Sequence, residues 1–278
     1  MNDLKLLIAI GLILVSCQKD NFDIDNLNGN KIGALGHGGM GFGGTYAFNS
    51  FESIFNCLSI GADGSELDIQ MTKDSVLIAF HNVKLEDSAH NNGNVYKKNW
   101  DEIKNTTYIY PLLSAYKIIT VDELFTGIAN LSDQLDQTDY TFFFDCKNYD
   151  PDDSETYLNR FNNALISLID KHDLADNVFI EFKRVSLMKS LKNKRPDLRV
   201  FAGTDFDTGM QIADEIPIQG ITIAREEISK EQVKMAHDRG LMIAVFDTDN
   251  KDDNIDAINK NVDFIQSDKI KHLIRILK

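Results

Sequence analysis

From residue 32 onwards the chain alternates short apolar runs with single helix-like segments, and this rhythm constrains the fold more than any other feature. The apolar runs are KIGALGH, GSELDIQMT, VLIAFHN, YTFFFDCK, NVFIEF, LRVFAGT, GITIAR, LMIAVFDT and VDFIQSD. Between them lie segments such as NSFESIFNCLSI, VDELFTGIANL, SETYLNRFNNALISLIDKH, SLMKSLKNK, SKEQVKMAHDRG and IKHLIRIL. Several of these open on Ser, Thr or Asp in capping position, and SKEQ fits a capping box. Strands separated by single helices require parallel crossovers. About eight such units in roughly 245 residues favour an α/β fold closed as a TIM-type (β/α)8 barrel over an open doubly wound sheet. Residues 83–119 break the rhythm. They are long, polar and placed after a strand end, so they read as an insertion at the C-terminal mouth of a barrel spanning 32–278.

The N-terminus reads differently. Lys5 precedes the apolar run LLIAIGLILV, which ends at Ser16-Cys17 and is too short for a comfortable membrane span. Residues 1–17 are expected to be a signal peptide, and Leu14–Cys17 (LVSC) resembles a bacterial lipobox, which implies cleavage before Cys17 and acylation of its thiol. Residues 18–31 are polar, lack an apolar period and read as a flexible tether. The expected location is therefore outside the cytoplasm, lipid-anchored to the cell envelope, with the membrane as one partner. Of the two remaining cysteines, Cys57 falls in a helical pattern and Cys146 in a strand, and both read as buried free thiols. The formal net charge of −14 repels phosphate backbones and argues against nucleic acid as a partner. No sequence feature fixes the oligomeric state.

The chemistry concentrates in SELDIQMTKD. Alternate residues of a strand share a face, so Glu66, Asp68 and Gln70 point one way while Leu67, Ile69 and Met71 point the other. The outer face of a barrel strand meets helices and must be apolar, which turns Glu66 and Asp68 inward near the end where barrel active sites lie. Two inward carboxylates either share a proton or hold a cation, and oxygen ligands suit Ca²⁺ or Mg²⁺. His37 closes the first strand and His81 follows the third apolar run. Asp145 and Lys147 share a face of YTFFFDCK. Three carboxylates, two imidazoles and an ammonium at strand ends suit metal-assisted phosphoryl chemistry.

These residues carry a resemblance. The stretch GALGHGG…AFNSFESIFNCLSIGADGSELDIQMTKDSVLIAFHN looks like the N-terminal signature of the glycerophosphodiester phosphodiesterase family, and VDFIQSD is similar to the family's closing motif. The resemblance covers about residues 32–270. It implies a barrel enzyme that uses one divalent cation to cleave a small glycerophosphodiester to glycerol 3-phosphate and an alcohol. It further implies His37 and His81 as the acid–base pair, Glu66, Asp68 and Asp145 as metal ligands, and Lys147 as a phosphate-binding lysine. Asn49 and Ser50 match the family's Asn-Thr, and Phe246 matches an aromatic that is usually Trp.

Four departures bear on substrate and rate. Gly38 stands where the family has Arg, Phe48 where it has Glu, Asn82 where it has an acid, and Asp145 where it has Glu. Loss of a charged phosphate donor removes on the order of 2–4 kcal/mol of transition-state stabilisation. The glycine-rich GHGGMGFGG could offset that by turning backbone N–H groups, Gly38 among them, toward phosphate. Two other readings stay open on these residues. One is sphingomyelinase D- or phospholipase D-like action on lipid head groups, to which the Asp-x-Lys strand is similar. The other is a non-catalytic lipoprotein that binds phosphodiesters.

Overall fold

The computed structural model describes residues 32–278 apart from positions 44, 112–114 and 137. The signal peptide, Cys17 and the tether expected over 1–31 lie outside the described residues. The order of elements is β1 (Gly33–Gly36), α1 (Phe51–Ser59), β2 (Gly64–Met71), β3 (Leu77–Ala79), α2 (Val121–Asn130), β4 (Thr141–Cys146), α3 (Glu155–Lys171), β5 (Val178–Phe182), α4 (Val185–Lys194), β6 (Arg199–Gly203), α5 (Phe206–Glu215), β7 (Gly220–Ala224), α6 (Lys230–Asp238), β8 (Met242–Thr248), α7 (Lys251–Asn259), β9 (Phe264–Ser267) and α8 (Ile270–Leu277). Side chains cap most of these helices. Ser50, Thr120, Ser154, Asp205, Ser229 and Asn250 accept first-turn N–H groups of α1, α2, α3, α5, α6 and α7. Among the described residues no helix is long and apolar enough to cross a membrane.

The strands pair in the order β1-β9-β8-β7-β6-β5-β4-β2, and β1 pairs with β2 to close the ring. Every pair around that ring is parallel. This is the TIM-type (β/α)8 barrel. The run VLIAFHN is not one of its staves. β3 pairs antiparallel with β2, Ile69 against Ala79 and Met71 against Leu77. The reason is reach: a tight turn at Thr72–Val76, with Ser75 at φ 68°, separates the two strands, whereas a parallel return needs about a dozen residues. The Asp68 carbonyl accepts the Phe80 N–H, while the Ile69 carbonyl accepts the Lys147 N–H, so β3 and β4 flank β2 on opposite edges. β3 thus takes over the edge that β1 leaves at Gly36, and it delivers His81 to the side of the mouth where His37 stands.

Residues after β3 build a small core of their own. Ile78 and Phe80 pack with Leu85, Ala89, Val95, Ile103, Tyr108 and Ile118, and with Ala47 from the loop before α1. The Tyr108 hydroxyl donates to the Ala79 carbonyl at 3.1 Å. The segment is therefore fastened to both β3 and the β1–α1 loop.

Inside the barrel the side chains stack in levels. Stepping one residue up at each neighbouring strand returns to the starting strand in register, as a shear of about eight requires. One level holds Leu35, Phe143, Phe201 and Ala244, above a level that contributes Phe179 and Phe264. Phe143 lies 5.0 Å, centroid to centroid, from each of Phe179, Phe201 and Phe264. Each such aromatic pair contributes about 0.5–1.5 kcal/mol beyond its burial. Over this apolar floor the composition changes abruptly. The next level is Glu66, Glu181, Thr222 and Gln266, and the one above it is His37, Asp145, Gly203 and Phe246. Outward positions such as Leu67, Ile69, Phe144, Ile180, Val200 and Ile243 join the helices in the main core. Cys57 and Cys146 are free and buried.

Candidate active site

Glu66 and Asp68 project inward from β2, and register sets Asp145 of β4 directly beside Asp68. All three are buried, at 2%, 1% and 8% exposure. Each offers an oxygen within 4.8 Å of the others. Neighbours fix their aim. The Gly38 N–H donates to Glu66 Oε2 at 2.8 Å. Asn49, held at φ 64°, donates Nδ2–H to Asp68 Oδ2 at 2.5 Å and accepts the Asp68 N–H at 3.0 Å. Lys147 Nζ pairs with Asp68 Oδ1 at 3.1 Å and also with Asp145 Oδ2. Asp145 Oδ1 meets no partner.

The electrostatics leave this cluster short of positive charge. Burial, then Asp68, push the Glu66 carboxyl well above its ordinary range. Burial also works against the Asp68 carboxylate, but Lys147 and His81 hold its pKa below normal. Lys147 is buried too, yet Asp68, Asp145 and Glu66 raise its pKa and keep it protonated. One ammonium faces three carboxylates, and one oxygen among them is orphaned. That donor set fits a hard divalent cation with oxygen ligands.

The histidines stand above the cluster. His37 Nδ1 lies 2.9 Å from Asp268 Oδ1, so the ring donates Nδ1–H to the carboxylate and Nε2 is left outside that bond. Burial opposes charge on this ring, but the Asp268 hydrogen bond and the fields of Glu66, Asp268 and Asp68 prevail and lift its pKa to about 9. His81 is exposed at the mouth, with Nδ1 at 2.7 Å from Asn82 Oδ1. The amide oxygen accepts from Nδ1–H, which leaves His81 Nε2 outside that bond. The Tyr149 hydroxyl donates to the His81 carbonyl at 3.1 Å and fixes that strand end. Phe48 fills the space between the rings, its centroid 4.9 Å from His37 and 6.1 Å from His81.

Two of the departures from the family signature are coupled through Phe48. Gly38 has φ 51°, and a Cβ there would come within 2.5 Å of the Phe48 ring. An arginine at 38 and this position of Phe48 are mutually exclusive. The glycine-rich loop was expected to offer its N–H groups to phosphate. Three of them are engaged within the protein instead: Gly38 to Glu66, Met40 to Ser53 Oγ and Phe42 to Asp268. Asn49 is fully buried and orients Asp68 rather than facing the mouth. Ser50 is likewise buried and caps α1. Phe246 is half-buried on the His37 level, at the rim of the interior.

Two further residues stand at this site. Asp268 closes VDFIQSD, and in a ring where β9 neighbours β1 a strand-end acid at 268 falls beside His37. Glu181 follows from the alternation that located Glu66, since NVFIEF turns Phe179 and Glu181 to one face. It is 3% exposed, and burial, reinforced by Asp145, pushes its pKa up to about 8.

Comparison with known proteins bears on this arrangement. The model of the glycerophosphoryl diester phosphodiesterase family matches residues 40–272. A glycerophosphodiester phosphodiesterase of Bacillus altitudinis is 39% identical over 64 residues, a match spanning 23% of this chain and 26% of that relative. A solved glycerophosphodiester phosphodiesterase of Parabacteroides distasonis superposes with a TM-score of 0.74 at 19% identity, covering 92% of this chain and 98% of that one. An Oleispira antarctica phosphodiesterase, solved in complex with the product sn-glycerol-3-phosphate, gives a TM-score of 0.74 at 15% identity over 89% of this chain and 96% of its own.

Proposed function

The chain belongs to the glycerophosphoryl diester phosphodiesterase family, and from that premise we propose that it hydrolyses glycerophosphodiesters to glycerol 3-phosphate and an alcohol. The observation that carries this reading is the convergence of the buried Glu66–Asp68–Asp145 triad with two oriented imidazoles. The product named with the Oleispira structure is consistent with it. Glu66, Asp68 and Asp145 would hold one Ca²⁺ or Mg²⁺, which when bound supplies charge neutralisation at the phosphate oxygens.

The protein's own groups divide the proton transfers. His37 carries its proton at neutral pH because Asp268 and the acidic cluster favour the charged ring. It is therefore the general acid, giving the Nε2 proton to the departing alcohol oxygen. His81, with Nδ1–H directed at Asn82, presents an Nε2 lone pair and acts as general base on the attacking hydroxyl or water. Lys147 balances Asp68 and Asp145 and helps retain the anionic phosphate. Phe48 keeps bulk water from between the two rings.

The test is direct. Purified protein is incubated with glycerophosphocholine, glycerophosphoethanolamine and glycerophosphoinositol, with Ca²⁺, Mg²⁺ or chelator. Metal-dependent release of glycerol 3-phosphate from at least one is expected, and release from none in any condition refutes the proposal. We also propose that acylated Cys17 tethers the domain to the envelope. Cys17→Ala is expected to move the protein from the membrane to the soluble fraction, and unchanged fractionation refutes the anchor.

A further inference from the structure

The level of the barrel that carries Glu66 holds three polar groups that neither the cation site nor the acid–base pair uses: Glu181, Thr222 and Gln266. They are 3%, 1% and 3% exposed, as deep as Glu66 at 2%. Two of them have unfilled hydrogen-bonding capacity. Gln266 Nε2 and Thr222 Oγ1 have no partner among the described residues. The Thr222 hydroxyl is near enough to favour the charged form of Glu181 but falls short of a formed hydrogen bond. Among the described residues no ion pair reaches Glu181, because Lys147 is held by Asp68 and Asp145. Buried polar groups left without partners are costly, and a cluster of them marks a place where something else binds.

The level above has one position without a side chain. Its members are His37, Asp145, Gly203 and Phe246, and Gly203 contributes no side chain. A Cβ at Gly203, which is itself half-buried, would lie 2.7 Å from Glu181 Oε1. The Glu181 carboxylate therefore occupies space beside Asp145 that any other residue at 203 would fill.

The donor and acceptor inventory selects the ligand. A carboxyl oxygen accepts, and a protonated carboxyl also donates; a primary amide nitrogen donates and a hydroxyl does both. The acidic pair of Glu181 and Asp145 disfavours an anion at this level. The complement is a neutral group with more than one hydroxyl. We propose that Glu181, Thr222 and Gln266 bind the glycerol hydroxyls of the diester while its phosphate lies at the cation site, and that they select glycerol on that side of the phosphate. This rests on the phosphodiesterase reading above.

Glu181→Gln keeps shape and replaces the carboxyl group with an amide. With glycerophosphocholine and bis(p-nitrophenyl) phosphate as substrates, it is expected to lower kcat/KM for the glycerol diester about tenfold to a hundredfold more than for the chromogenic diester, mainly through KM. Gly203→Ala leaves every polar group in place but crowds Glu181, and it is expected to shift the ratio in the same direction. An equal loss on both substrates in both variants, or no loss on either, overturns the assignment. A second arm covers a wild type that turns over neither substrate, which would refute the activity and not this site. Calorimetric titration of the metal-loaded wild type is then expected to show tighter binding of glycerol 3-phosphate than of inorganic phosphate, with the preference lost in Glu181→Gln. Equal affinity of the wild type for the two ligands overturns the glycerol site.

Discussion

Glu66→Gln is expected to abolish turnover yet raise the thermal stability of the metal-free protein. The two effects have one origin. Burial and the neighbouring Asp68 push the Glu66 carboxyl well above its ordinary range, so the folded state binds that proton more tightly than the unfolded chain does. The sign follows from linkage: a raised acid favours folding at low pH, and stability is lost as pH climbs above the unfolded value of about 4.3 toward the folded one. At neutral pH a charged Glu66 thus opposes folding unless a cation is present. A neutral glutamine relieves that opposition and can still accept the Gly38 N–H that now reaches Glu66 Oε2. With Ca²⁺ or Mg²⁺ the order inverts. A cation at about 100 times its Kd adds about 2.7 kcal/mol to the wild type, and the variant, short of one ligand, gains far less. Activity is expected to fall by at least about 10³-fold, the several kcal/mol that a Lewis-acidic cation supplies. Melting curves of both proteins, with chelator and with metal, check the crossing. If metal raises the two midpoints equally, Glu66 is not a ligand.

The barrel was legible because its cause is periodic. Strands such as GITIAR and NVFIEF must bury both faces, and single helices between them force parallel pairing, so closure follows from their number. β3 has the same composition as a stave, so composition alone does not set it apart. What separates it is the short turn at Thr72–Val76, which allows only an antiparallel return. Glu66, Asp68 and Asp145 were visible by alternation, and the structure brings them together as that pattern requires. The supports were harder to see. Asn49 acts through a left-handed backbone conformation and Gly38 through its N–H, and neither property is written in a side-chain pattern. The same holds for Gly38 and Phe48. As separate departures they looked like losses of phosphate contacts, but in space one is the steric condition of the other. Glu181 is legible in the same way as Glu66, since the alternation applies equally to β5 and puts Glu181 on its inward face.

His37→Gln is expected to lower kcat by about 10²–10⁴-fold, the usual contribution of a positioned general acid or base. The chemical prediction is sharper than the magnitude. If His37 protonates the departing alcohol, the defect must scale with how much that alcohol needs a proton. Glycerophosphocholine releases choline, a poorly acidic alcohol, and should show the full loss. A p-nitrophenyl ester leaves as a stable phenolate and should show little. If His81 is the base, His81→Gln should slow both substrates alike. Asp268→Asn separates holding from protonating. It keeps a side-chain oxygen near His37 Nδ1 and removes the negative charge that raises the ring's pKa, opposed as it is by burial. The wild-type acidic function should then persist to about the pH at which His37 loses its proton, and in Asp268→Asn the descending limb of kcat should move to lower pH. Cation binding opposes the positive ring, so the wild-type limb is expected below the metal-free value of about 9. Equal sensitivity of the two substrates to His37→Gln, or an unmoved limb in Asp268→Asn, would exchange the roles of the two histidines. The surrounding geometry would remain as described, with Asp268 orienting one ring and Asn82 the other.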